Sequence, residues 1–216
     1  GEVKCWGYDG LNQTAVPDDL GTAVAIAMGY EHSCAIQSSG DVKCWGRNDD
    51  QQTEVPAGLR PAIAIGASVW HSCVLEDLGG VKCWGSNSYG ALNIPDDLEP
   101  ATAISVSRYT TCAIEQDGEL KCWGYNSDGQ TTIPGDLGPA VVGVSAGGYH
   151  TCAIKNDGEV LCWGRNTSDQ VTVPNDSAQP LVGIASGNIH TCAIEKDGEV
   201  TCRGSYSYGE SDPPTD

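Results

Sequence analysis

"GYHTCAIKNDGEVLCWGRN", residues 148–166, holds two cysteines ten positions apart, a charged turn ending in glycine between them, and Trp-Gly directly after. Nearly the same string recurs as "EHSCAIQSSGDVKCWGRN" from Glu31 and as "IHTCAIEKDGEVTCRGS" from Ile189. Taking the second cysteine as a ruler gives Cys5, Cys44, Cys83, Cys122, Cys162 and Cys202, at intervals of 39, 39, 39, 40 and 40 residues. A fixed period of this size predicts a repeat array, in which each unit buries its apolar face against its neighbours. The 216 residues therefore read as one array.

Each unit predicts short strands with little room for helix. Val141-Val142-Gly143-Val144 is an apolar, β-branched run suited to a strand buried on both sides. A Gly-aromatic-His corner follows, then strands at His150–Ile154 and Val160–Gly164. A fourth strand is expected at the "TTIP" and "VTVP" segments, ended by Pro134 and Pro174. Four short strands per unit, punctuated by Gly and Pro, predict an all-β propeller blade.

The cysteine pair sets the hairpin register. With Cys34 facing Cys44, Ala35 faces Lys43, Ile36 faces Val42 and Gln37 faces Asp41, which leaves Ser38-Ser39-Gly40 as the loop. Three-residue loops of this kind end in a left-handed residue, and Gly79, Gly118, Gly158 and Gly198 fall at the same position. Directly opposed positions of an antiparallel pair lie within disulfide range, and the units lack the close cysteine pairs of zinc sites. The predicted bridges are Cys34–Cys44, Cys73–Cys83, Cys112–Cys122, Cys152–Cys162 and Cys192–Cys202, with Cys5 unpaired. Five bridges imply an oxidising compartment: secreted, periplasmic or cell-surface.

The expected organisation is one domain over 1–216: an N-terminal half blade at 1–20, then five blades at about 21–59, 60–98, 99–137, 138–178 and 179–216. Two closures are open. Gln13–Pro17 could complete the blade of 179–216, giving five blades and leaving 1–7 surplus, or the chain could be an arc of a larger ring. The chain begins at Gly1 rather than Met, which reads as a processed or trimmed product, and no stretch reaches the 18 apolar residues of a membrane helix.

The unit "WGxNxxGQTTVP…VVGVSAGGYHTCAIKNDGEV", taken across copies, resembles the repeat of the chromosome-condensation-regulator (RCC1-like) family from end to end. Its short period and x-Val/Ile-Pro segment look most like the bacterial β-lactamase-inhibitor propellers (BLIP-II-like). That resemblance implies a seven-bladed ring with a binding function. The chain departs from those inhibitors in its paired cysteines and in holding about five and a half units.

Two loop sets vary between copies while the strands do not, and both are expected at one rim. The corners before each second strand carry Tyr30 and Glu31, then Trp70, then Arg108 and Tyr109, then Tyr149, then Ile189. The loops after each Trp-Gly carry Tyr8 and Asp9, then Arg47, Asp49 and Asp50, then Tyr89, then Tyr125 and Asp128, then Arg165 and Asp169, then Tyr206. Variable loops rich in Tyr, Trp, Arg and Asp on rigid strands suit recognition of another protein, and the inhibitor resemblance places its contact residues in the same loops. Trp6, Trp45, Trp84, Trp123 and Trp163 recur at one phase and read as packing residues, whereas Trp70 is out of phase and reads as a contact.

His32, His71, His150 and His190 stand in separate units and are expected to hydrogen-bond a neighbouring loop. No catalytic set, phosphate loop or metal site emerges. "YNSDGQ" at 125–130 lacks the carboxylate ladder of a calcium loop, and no cofactor is implied. With 29 acids against 11 bases the net charge is −18, which excludes broad phosphate neutralisation and hence nucleic acid. The expected partner is another protein, either a basic one or a secreted β-lactamase. A carbohydrate-binding propeller using Tyr and Trp between blades is the alternative. Sequons at Asn12, Asn166 and Asn175 matter only in a eukaryotic source.

Overall fold

The hairpin forms in every copy with the register that the cysteines dictate. In the computed structural model, which describes residues 1–173 and 180–205, five three-stranded antiparallel sheets follow one another in chain order. The first comprises β1 (Ala23–Met28), β2 (His32–Gln37) and β3 (Val42–Gly46), and the second β4 (Ala62–Ala67), β5 (His71–Glu76) and β6 (Val81–Gly85). The third is β7 (Ala101–Val106), β8 (Thr110–Glu115) and β9 (Leu120–Gly124), and the fourth β10 (Val141–Ala146), β11 (His150–Lys155) and β12 (Val160–Gly164). The fifth is β13 (Leu181–Ser186), β14 (His190–Glu195) and β15 (Val200–Gly204). Among the described residues no helix is long and apolar enough to cross a membrane.

Cys34 lies opposite Cys44, Ala35 opposite Lys43 and Ile36 opposite Val42. All five expected bridges are present, with Cα–Cα separations of 4.0–4.1 Å, and Cys5 is free. Gly40 closes its turn at φ +88°, and an added Cβ would lie 2.6 Å from Cβ of Pro61. The turn therefore needs glycine twice over, for its left-handed backbone and for the close approach of the next repeat.

Two expectations about the strands are corrected. The x-Val/Ile-Pro segment is not a fourth strand: 131–134 are turn and irregular residues, as are the described 171–173, with Pro174 outside the described residues. Each segment instead drops one apolar side chain into a core. Ile133 packs against the core shared by the third and fourth sheets, Ile94 against that of the second and third, and Val55 against that of the first and second. The first strand of each sheet is also not buried on both sides. A bulge between Val141 and Gly143 turns Val142 outward, and Val24, Ile63 and Val182 are exposed at the same bulge in their sheets.

The cores sit between successive sheets rather than within them. Leu75 and Val81 of the second sheet meet Ala101, Ala113 and Trp123 of the third, and the pattern repeats between the first and second and between the third and fourth sheets. A polar spine runs beside each core. The Ser72 hydroxyl donates to the Gln52 carbonyl (3.1 Å) and accepts from Nε2–H of His32 (2.9 Å). Thr191 does the same between the Gln170 carbonyl (2.8 Å) and His150 (2.6 Å). The histidines thus reach a strand of the next sheet, where a neighbouring loop was expected. Burial holds His32, His71 and His150 well below the usual imidazole pKa, at about 4.

Residues 13–17 lie on the first sheet, not the fifth. The Gln13 carbonyl accepts from the Trp45 indole (3.0 Å) and the Ser33 hydroxyl (2.9 Å), and Val16 joins the core of Leu20, Ala23, Ala35 and Trp45. This is the role Gln52 plays for Trp84 and Ser72 of the second sheet. The alternative in which Gln13–Pro17 completes the last blade is therefore not what the chain does. Gly1 in turn accepts from the amide of Ala23 as Gly40 does from Ala62, so residues 1–7 follow the course of an outer strand beside the first sheet. At the far end Ile194 and Val200 of the fifth sheet are exposed, although their counterparts Leu75 and Val81 are buried. The described residues form an arc of five sheets around an axis lined by Met28, Ala67, Val106, Ala146 and Ser186, the last residues of the five first strands.

Candidate functional site

The two variable loop sets meet in every sheet through one backbone bond. The amide of Arg47 donates to the Glu31 carbonyl (2.8 Å), Ser86 to Trp70 (2.9 Å), Tyr125 to Tyr109 (2.9 Å), Arg165 to Tyr149 (2.9 Å) and Ser205 to Ile189 (2.9 Å). The corner and the loop after Trp-Gly therefore present adjacent side chains whatever those side chains are.

The loop after Trp-Gly is shaped by residues that sequence reading passed over. Asn48, Asn87, Asn126 and Asn166 each accept a backbone amide five residues on with Oδ1, at 2.9–3.1 Å. Gln52, Gln130 and Gln170 are fully buried and accept a backbone amide from two residues before, at 2.8–3.1 Å. Between them the backbone turns left-handed, at Asn12, Gln51, Gly90, Gly129 and Asp169. The signal was the repeated Asn-x-x-x-Gln spacing, visible in the quoted unit but unassigned.

On this frame the predicted residues build one continuous chain of rings and guanidinium groups. Arg47 pairs with Glu31 (2.9 Å), Asp49 (3.0 Å) and Asp50 (3.9 Å) and lies 4.6 Å from the Trp70 ring centroid. Trp70 donates from its indole to the Tyr109 hydroxyl at 2.8 Å. Tyr109, Tyr89 and Tyr125 cluster with centroids 4.7–6.2 Å apart. Arg108 stands over both Tyr109 (5.5 Å) and Tyr149 (5.6 Å) and donates to the Tyr149 hydroxyl at 2.6 Å. Arg165 also lies over the Tyr149 ring, 4.2 Å from its centroid, and grips Asp128 with Nε and Nη2. Cation–π and edge contacts of this type each contribute about 0.5–2 kcal/mol and hold the rings in place before any partner arrives.

Other predicted residues stand apart from this chain. Tyr8 lines a cavity of about 580 Å³ at the exposed face of the first sheet, and Tyr30 stands between it and the central cavity that Arg47, Trp70 and Arg108 also line. The Asp9 carboxylate is committed to the Thr14 amide (2.9 Å), and Asp169 is an exposed turn residue at φ 60°. Ile189 continues the corner set on the fifth sheet without aromatic contact, and Tyr206 lies outside the described residues. Trp45, Trp84, Trp123 and Trp163 are packing residues, each bonded to a loop carbonyl. Trp6 corrects that expectation. It is 87% exposed.

Residues 23–52, 62–91, 101–130 and 141–170, more than half of the chain, match the Regulator of chromosome condensation (RCC1) repeat. The chain belongs to the RCC1 repeat family. No curated protein matches it in sequence. Three solved structures share the RCC1-repeat fold. Human WBSCR16 is 20% identical, with a TM-score of 0.74 over 85% of this chain and 62% of that one. The CRINKLY WD40 ectodomain of the Arabidopsis thaliana receptor kinase ACR4 is 24% identical, with 0.71 over 86% and 73%. Prp20p from Saccharomyces cerevisiae, whose structure was described with its binding to Gsp1p and histones, is 17% identical, with 0.72 over 85% and 57%. This chain thus spans less than two thirds of the length of the human and yeast proteins.

Proposed function

We propose that this RCC1-repeat chain is a non-catalytic, secreted or surface-exposed protein-binding propeller that grips its partner through the ring-and-arginine chain of the rim. The observation that carries the reading is the continuity of Arg47, Trp70, Tyr109, Arg108, Tyr149 and Arg165 across the first, second, third and fourth sheets. Rigid aromatic and arginine side chains with their conformations already fixed are the residue types that dominate binding energy at protein interfaces. Five disulfides support an oxidising compartment. The net charge of −18 favours encounter with a basic partner.

The test is a screen of displayed extracellular protein domains, with a panel of secreted serine β-lactamases included, followed by single alanine changes at Trp70, Tyr109 and Tyr149. Each change is expected to weaken binding by about 2 kcal/mol or more while the melting temperature stays nearly constant. Tight inhibition within the enzyme panel assigns the inhibitor role. A glycan ligand lost with the same changes moves the assignment to a lectin. Binders indifferent to all three residues overturn the rim.

A further inference from the structure

Two arginines hold a carboxylate in the same way. Arg165 takes Asp128 on its Nε and Nη2 edge at 2.9 and 3.2 Å, and Arg60 takes Asp77 on the same edge at 2.8 and 3.3 Å. Arg47 uses Nε for Asp49. Arg108 differs. Its Nη1 donates to Tyr149, but no carboxylate pairs with it among the described residues, and its Nε–H is out of solvent contact without an acceptor. It also lines the central cavity of about 800 Å³, in a wall that includes Trp70, Gly148 and Asn188. The charged groups of that wall are Arg47, Arg108 and Glu31, and Glu31 is taken by Arg47. Arg47 is further committed to Asp49 and Asp50, so Arg108 is the one charged group of that wall with no opposite charge paired to it among the described residues.

We propose that Arg108 is the receptor for a carboxylate of the partner, borne beside an apolar residue that packs on Trp70 and Tyr149. This rests on the rim being the binding surface. A charge-assisted pair on Nε and Nη2 is the geometry that the same chain uses twice elsewhere. The acceptor-less Nε–H is satisfied when that edge turns to an acid entering the cavity. The acid is either an Asp or Glu side chain or a C-terminal carboxylate. The partner as a whole is not acidic, because the surrounding surface repels it at long range.

The probes are three short peptides: acetyl-Phe-Glu-amide, its Gln analogue, and acetyl-Gly-Phe with a free C-terminus. The readouts are the ¹⁵N-resolved Nε–H signal of Arg108, assigned by its loss in Arg108→Lys, and the indole N–H signal of Trp70. At least one acid peptide is expected to shift the Arg108 signal saturably in the low millimolar range, about 10-fold more tightly than the Gln analogue. The signal of Arg60 stays still, and the acid that works identifies the source of the carboxylate. Equal shifts with the Gln analogue, or movement of Trp70 without Arg108, overturn the carboxylate while leaving the rim as an aromatic surface. No movement of either signal with any peptide at about 20 mM overturns it too, whatever the domain screen returns.

Discussion

His150 donates to Thr191 at 2.6 Å across the junction between the fourth and fifth sheets, and the Thr191 hydroxyl donates in turn to the Gln170 carbonyl. The imidazole is fully buried, so it is held neutral by its surroundings and by its role as donor from one nitrogen only.

Acid should therefore loosen the array. Burial lowers His32, His71 and His150 from 6.5 to about 4, with a further push on His71 from His32 and on His150 from His190. Between those values the unfolded chain binds protons that the folded chain excludes. The stability is complete above about pH 6.5 and falls as pH drops toward 4. Urea midpoints at about pH 7.5 and about pH 4.5 should differ by on the order of 2 kcal/mol per histidine. Replacing His71 and His150 by Gln should shrink the difference, and an unchanged difference in that variant removes the histidines as the cause.

Trp163 and Trp6 share a phase and should part company under mutation. Trp163, 7% exposed and bonded to the Gln130 carbonyl, should lose about 3–5 kcal/mol as Trp163→Ala. Trp6→Ala should leave the unfolding midpoint within about 0.5 kcal/mol. Chemical denaturation of the two variants decides it, and comparable losses would contradict the exposed placement of Trp6.

The left-handed position before each buried glutamine should accept asparagine and reject β-branched residues. Gly129 sits at φ +81° with open space where a Cβ would go, and Asn12 holds the same position in its own loop. Gly129→Asn is expected to be nearly neutral and Gly129→Val to cost about 1–2 kcal/mol, read as a difference in melting temperature. Equal effects would mean that packing rather than backbone conformation selects the glycine.

Replacing Cys112 and Cys122 together by Ala should lower stability by about 2–3 kcal/mol, the loop-closure value for a ten-residue span, while the other four bridges remain. Peptide mapping without reductant should recover the five within-hairpin pairs. A bridge between different sheets would contradict the register.

The hairpins were legible because two independent constraints, opposed cysteines and a turn glycine, fix the same register. The x-Val-Pro segment was misread because β-branched residues before a proline look the same whether they pair with a strand or plug a core. Val142 was misread because a bulge shifts alternation by one residue without leaving a mark in an apolar run. That the two loop sets lie side by side was legible by contrast between copies, but the ordering of Arg47, Trp70, Tyr109 and Arg108 into a stack depends on contacts between adjacent sheets. No period within one copy reveals those contacts. The hydrogen bond from the Thr14 amide to Asp9 was not legible, since a carboxylate that caps its own loop has the same sequence context as one that faces outward.

The corner and the loop after Trp-Gly share a main-chain bond in every sheet, from Glu31 and Arg47 to Ile189 and Ser205. A combinatorial library randomised at 31, 47, 70, 86, 109, 125, 149 and 165 would therefore recode eight neighbouring surface positions without erasing any of those bonds. The scaffold is in that sense programmable: affinity for a new target can be selected while the disulfides, the buried glutamines and the inter-sheet spine are inherited unchanged.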